Sequence, residues 1–132
     1  MSRLFLAAFA LGLGNQAYAQ DKVLGILSAA SDPNHAEDVR LYLLCTQPFS
    51  DVLILDSATE TPTIDDLDGM DGILIFNEVG VPFADPIAMG DLAQEFLAEG
   101  GGVTIAGAAL DVTGGTAIGG QLLSGGFLPL DL

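Results

Sequence analysis

The chain has 132 residues, with 18 Asp and Glu against three Lys and Arg and a formal net charge of −15. That length allows one domain, and the charge excludes nucleic-acid and anionic-lipid binding, since phosphate contacts need clustered cations. Half of the residues are hydrophobic and Cys45 is the one cysteine, so no intramolecular disulfide forms and stability must come from the core.

Residues 1–19 combine an early cation (Arg3), an apolar run over residues 4–13, a polar break and Ala17-Tyr18-Ala19. This is the pattern of a secretory signal peptide with a cleavage site before Gln20; the apolar run falls short of the about 20 residues that span a bilayer. The expected compartment is secreted or periplasmic, with no membrane association after cleavage. Only Lys22 and Arg40 then remain against the same 18 carboxylates. The acidity reads as a solvated surface, with divalent-cation binding as the sharper alternative.

Four short, nearly continuous apolar runs follow: KVLGILS (22–28), VLIL (52–55), GILIF (72–76) and GVTIA (102–106). Runs that do not alternate are buried on both faces, which predicts a parallel sheet with helices between the strands. Asp32-Pro33 opens the first helix, with Val39, Tyr42, Leu43 and Cys45 or Thr46 as its apolar face; there Cys45 reads as a buried structural thiol. Thr61-Pro62 starts a shorter helix ending near Leu67. The clearest helix covers residues 86–98, where Met89, Leu92, Ala93, Phe96 and Leu97 share one stripe while Asp91 and Glu95 face away. Asp85 caps it, Pro86 opens it and residues 100–102, all glycine, end it. Beyond Leu110 the chain is glycine-rich, and residues 121–123 and 127–130 read as a fifth strand or a loose tail.

The candidate site residues are few. Asp32 and His35 lie just beyond the first strand, and Asn77 and Glu78 just beyond the third, at the strand ends where α/β sheets take ligands. The carboxylates of TIDDLDGMDG invite a calcium reading, but counting back from Gly69 or from Gly72 puts Ile64 or Leu67 at the first ligand position of an EF-hand loop, so both registers fail. No zinc motif, nucleophile elbow or phosphate-cradling loop occurs, and the expectation is no metal, no cofactor and no catalytic residue. The end of the fourth strand carries only Ala106, Gly107, Ala108 and Ala109, where such folds often hold a nucleophile.

The segments AEDVRLYLLCTQPFSDVLILD, TPTIDDLDGMDGILIF and PFADPIAMGDLAQEFLAEGGGVTIAG resemble a group of secreted bacterial domains of the class I glutamine amidotransferase-like superfamily. The specific part is the spacing Pro82-Phe83, Asp85-Pro86, Gly90 and Gly100-Gly101-Gly102, within a likeness that covers residues 23–126. It implies a three-layer, flavodoxin-like (Rossmann-like), doubly wound α/β fold with about four parallel strands and a glycine-rich tail. The residues themselves divide the chain into a signal peptide at 1–19, the α/β domain at 20–110 and the tail or fifth-strand region at 111–132. Amidotransferases of this superfamily use a Cys at a sharp strand-to-helix turn, with His and Glu later in the chain. Here no His follows Cys45, so the triad does not carry over.

The expected function is a non-catalytic binding or scaffold module for an unknown protein or small molecule. The alternatives are a carboxylate-dependent hydrolase acting on sugars, and a fragment of a larger extracellular protein. In a flavodoxin-like strand order the fourth strand is an edge unless residues 121–130 cover it. The expectation is that residues 127–130 fold back on it, or that the protein forms a homodimer or binds a partner there.

Overall fold

The computed structural model describes residues 21–47, 49–111 and 115–125. The signal-peptide reading of residues 1–19 and the fold-back of residues 127–130 lie outside these. The architecture is α/β, built on one four-stranded sheet in which every pair is parallel, and it is consistent with a flavodoxin-like three-layer fold. The strands are β1 (Val23–Ala29), β2 (Asp51–Asp56), β3 (Gly72–Asn77) and β4 (Gly102–Gly107), in the spatial order β2-β1-β3-β4. Each apolar run of the sequence became a strand, and the expected burial on both faces is met best at the central β1; the outer strands depart from it, leaving Leu53 of β2 and Thr104 and Ala106 of β4 exposed.

Between the strands lie α1 (Pro33–Thr46), a 3-10 turn (Ile64–Leu67) and α2 (Pro86–Ala98); after β4 come a second 3-10 turn (Ala108–Leu110) and α3 (Gly120–Ser124). Both long helices begin as the sequence predicts. The Asp32 carboxylate accepts the Asn34 N–H at 2.9 Å, that of Asp85 accepts Ile87 N–H and Ala88 N–H at 3.0 Å each, and a proline follows each cap where no N–H is missed.

The two faces of the sheet are packed unequally. Leu27, Ala29, Ile73 and Ile75 point to the face where α2 brings Met89, Leu92, Ala93 and Phe96, and together they form one buried cluster. Ile26 and Val52, on the alternate rows, point to the face where α1 packs on β1 and β2. On that face of β3 and β4, Leu74 and Phe76 are half-buried while Thr104 and Ala106 are exposed.

Three expectations are corrected. Cys45 is exposed: it lies nine residues beyond Ala36, the one fully buried residue of α1, and at about 100° per residue that is the opposite side of the helix. Tyr42 and Thr46 are exposed as well, leaving Val39 and Leu43 as the half-buried members of the proposed apolar face. Residues 121–123 are helical, within α3, and that helix packs on α2, so part of the glycine-rich stretch belongs to the core: Ile118 and Leu122 join the main cluster. Helix and tail approach closely because Gly90 faces the backbone of Gly119; a Cβ at Gly90 would collide with that carbonyl. Asp91, read as facing away, is exposed but accepts the Gln121 N–H at 2.6 Å at the start of α3.

Candidate functional site

The sheet order puts β1 and β3 side by side, and from β1 the chain turns to β2 on one side before crossing to β3 on the other. The carboxyl ends of these two strands, where the strand order reverses, are the general ligand position of such sheets. A hydrogen bond from Glu78 N–H to Ala29 C=O at 2.9 Å fixes the two strand ends together.

Three of the four candidate residues converge there. Glu78 is the centre: one carboxylate oxygen accepts both the Ser31 N–H at 2.9 Å and the Ser31 hydroxyl at 2.6 Å. The other faces His35 Nδ1 at 3.6 Å, within ion-pair reach once the ring is protonated, beyond direct hydrogen-bond length. Asp32, beside them, accepts Asn34 N–H and, at 2.7 Å, the Asn34 side-chain amide. Ser31's side-chain and backbone hydrogen bonds hold the Glu78 carboxyl below its ordinary range; partial desolvation opposes them, followed by a smaller lowering from His35 and a smaller raising from Asp32. Asp32 is lowered chiefly by the Asn34 N–H. Both acids are therefore held ionised.

Asn77 is not in this group. It lies on the α2-facing row, is buried, and its amide donates to the carbonyls of Val81 at 3.0 Å and Thr116 at 3.1 Å. It ties the loop after β3 to the segment before α3. Ser31 was missed in the sequence because its meaning comes from Glu78, 47 positions away; its one local signal is a small polar residue directly after a buried strand.

The end of β4 is bare in the structure as in the sequence. Gly107 has a φ of 68°, a sharp strand-to-helix turn, and Ala108 and Ala109 are buried behind it. A Cβ at Gly107 would press on the Asn77 carbonyl at 3.0 Å. Cys45 stands at the last turn of α1, the end of that helix farthest from Asp32 and His35.

A cavity of about 620 Å³ lies at the opposite, amino end of the sheet, with Leu67, Met70 and Phe96 below and Asp65, Asp68 and Glu99 at its rim. The carboxylates of that region do separate jobs: Asp66 accepts from Thr63 N–H and hydroxyl at 2.8 and 2.7 Å, and Asp71 pairs with Lys22 and accepts Val23 N–H at 2.9 Å. Among the described residues no group of three or more His, Cys, Asp or Glu is arranged to hold a metal ion. Polar groups from two loops converge at the carboxyl ends of β1 and β3, which makes that the better site on chemistry and on its position in the sheet.

The specific spacing of the sequence resemblance acquires a structural account. Phe83 is buried, Asp85 and Pro86 start α2, Gly90 admits the Gly119 backbone, Gly100 turns the chain at a φ of 98°, and Gly101 lies against the Phe96 ring. These residues build the α2–β4 connection. No family model, curated protein or solved structure matches the chain. No helix among the described residues is long and apolar enough to cross a membrane.

Proposed function

We propose that this is a secreted or periplasmic, non-catalytic binding module resembling the class I glutamine amidotransferase-like superfamily, taking a small ligand rich in hydrogen-bond donors, such as a polyol or an amine, at the carboxyl ends of β1 and β3. The observation that carries this reading is the pair of ionised carboxylates, Glu78 and Asp32, presented with His35 at the carboxyl ends of the strands. Ionised carboxylates only accept hydrogen bonds, so the complementary ligand is one that donates.

The same observation weighs against the sugar hydrolase. Such an enzyme needs one carboxyl kept protonated as general acid, with its pKa raised, whereas both acids here are lowered by the bonds they accept. The bare turn at Gly107 supports a domain without the amidotransferase nucleophile.

Titration of isotopically labelled protein with glucose and with ethylamine, followed by amide shifts, tests the reading. Saturable shifts at Ser31, His35 and Glu78, lost in Glu78→Gln, are expected with one of the two probes. Binding should persist below the ordinary Glu pKa of 4.5 and fade at lower pH as Glu78 takes its proton, since the ionised form is the acceptor. Shifts confined to residues 64–71, or none at all, reject the Glu78 cluster as the site.

A further inference from the structure

The dipeptide Asp-Gly occurs twice in the chain, at 68–69 and at 71–72, on the way into β3. It is a reactive pair in any main chain, because glycine leaves its nitrogen unhindered beside the aspartate carboxyl. The fold treats the two copies differently. Asp71 is anchored at each group that would have to move: its carboxylate pairs with Lys22 and accepts Val23 N–H at 2.9 Å, its N–H donates to the Val23 carbonyl at 2.8 Å, and its carbonyl accepts Gly102 N–H at 3.0 Å. Gly72 after it is held in the sheet between β1 and β4.

Asp68 and Gly69 are exposed, and among the described residues neither the Asp68 carboxylate, the Asp68 carbonyl nor the Gly69 N–H has a hydrogen-bond partner. The Asp68 φ of −59° and ψ of 133°, followed by a φ of 80° at Gly69, make a type II turn closed by Met70 N–H to Leu67 C=O at 3.1 Å. The Asp68–Gly69 peptide is the middle link of that turn and takes no part in the closing bond. Turning it over gives a type I turn with the same bond kept. Glycine accepts both conformations, and nothing lies within 4 Å of where a Cβ would stand on Gly69. In one sense of that rotation the Gly69 nitrogen swings past the Asp68 carboxyl.

We propose that this turn makes Asp68 a site of spontaneous isoaspartate formation, from which the anchored Asp71 is protected. The Gly69 nitrogen attacks Cγ of the protonated Asp68 carboxyl; the N–Cγ bond forms, and the carboxyl hydroxyl and the amide proton leave together as water. A second water opens the five-membered imide. Its addition at Cγ restores aspartate, whereas addition at the former main-chain carbonyl carbon leaves the chain running through Cβ and Cγ, as isoaspartate. Nothing is oxidised or reduced, and the mass is unchanged. The added main-chain carbon lengthens the link between Leu67, buried in the central cluster, and Met70, packed against it, so the modification acts on a joint of the core.

Incubation of the native protein at physiological temperature and mildly acidic pH, beside a sample unfolded in guanidinium chloride, tests this. Electron-transfer fragmentation of peptic peptides reads isoaspartate at each position by cleavage of its extra main-chain bond. In the unfolded chain the two sites should convert at similar rates. In the native protein residue 68 should convert at least about tenfold faster than residue 71, whose anchoring hydrogen bonds must open first. Asp68→Glu, which would have to close a larger ring, should remove the product at 68 and leave residue 71 as it was. Native conversion at 71 as fast as at 68, or no isoaspartate at 68 while the unfolded sample accumulates it, overturns the proposal.

Discussion

The two long helices start alike and are held differently. In α1 and α2 an Asp caps the first turn, a proline follows it, and the chain then runs 14 or 13 residues on. Yet α2 buries Met89, Gly90, Leu92, Ala93 and Phe96, and α1 buries Ala36 alone. The start of a helix is a local matter of satisfying free N–H groups, and the two sequences solve it in the same way. How firmly the helix is held is a matter of its apolar stripe and of what covers it, and there they diverge. Because α2 meets the sheet, the 3-10 turn and α3, it belongs to the core; among the described residues α1 packs mainly on β1 and β2, and its other side carries Leu41 and Tyr42 at 48% and 66% exposure.

That contrast is broken or sharpened most strongly at Phe96. Phe96→Ala removes a buried ring that packs in the central cluster and against Gly101, and should destabilise the protein by about 3–5 kcal/mol. The half-buried Leu43→Ala of α1 should cost well under half as much. Urea unfolding of the two variants decides it; equal losses would mean that α1 is as deeply anchored as α2.

Removal of the caps should give a smaller and more even pair of effects. Asp85→Ala and Asp32→Ala should each cost about 1 kcal/mol, with Asp85 the larger because it accepts two backbone N–H groups to the one taken by Asp32. The Asn variant at each position should restore most of the loss. An Asp32→Ala cost well above that of Asp85→Ala would show that Asp32 does more than cap.

Cys45→Ala should have the least effect, within about 0.5 kcal/mol, since the thiol is exposed on the outer side of α1. Native protein should also react with iodoacetamide at a rate close to that of the unfolded chain. Strong protection of Cys45 would indicate that something covers the outer side of α1.

Some of this could be read before the fold was known. Residues 86–98 form a helix on the evidence of a stripe repeating every three or four residues, and the structure ends it at Ala98. Leu97, at the margin of that stripe, is 36% exposed, because a stripe predicts a direction and the width of the contact depends on the neighbour. The first helix shows where the method stops. Its apolar positions are spread around the axis, so Cys45 and Tyr42 looked like core residues, and only the position of the sheet decides which side is inside. Helix α3 was illegible for another reason. With five residues and glycines at both ends it has no period to detect, and it is held by Gly90 and Asp91 of α2, some 30 positions earlier.

The candidate site divides along the same line. Asp32, His35 and Glu78 were singled out by their place after buried strands, which is a property of the parallel fold. The amino-acid order by itself determined the strands, the cap-and-proline helix starts, the acidity and the bare turn after β4, because each depends on neighbouring residues or on composition. Only the tertiary structure decided that Ser31 holds Glu78, that Asn77 turns into the core, that Cys45 faces outward and that β4 has, among the described residues, β3 as its one strand partner. Each of these is a contact, or a missing contact, between segments tens of residues apart, and strand order rather than local propensity determines which of them meet.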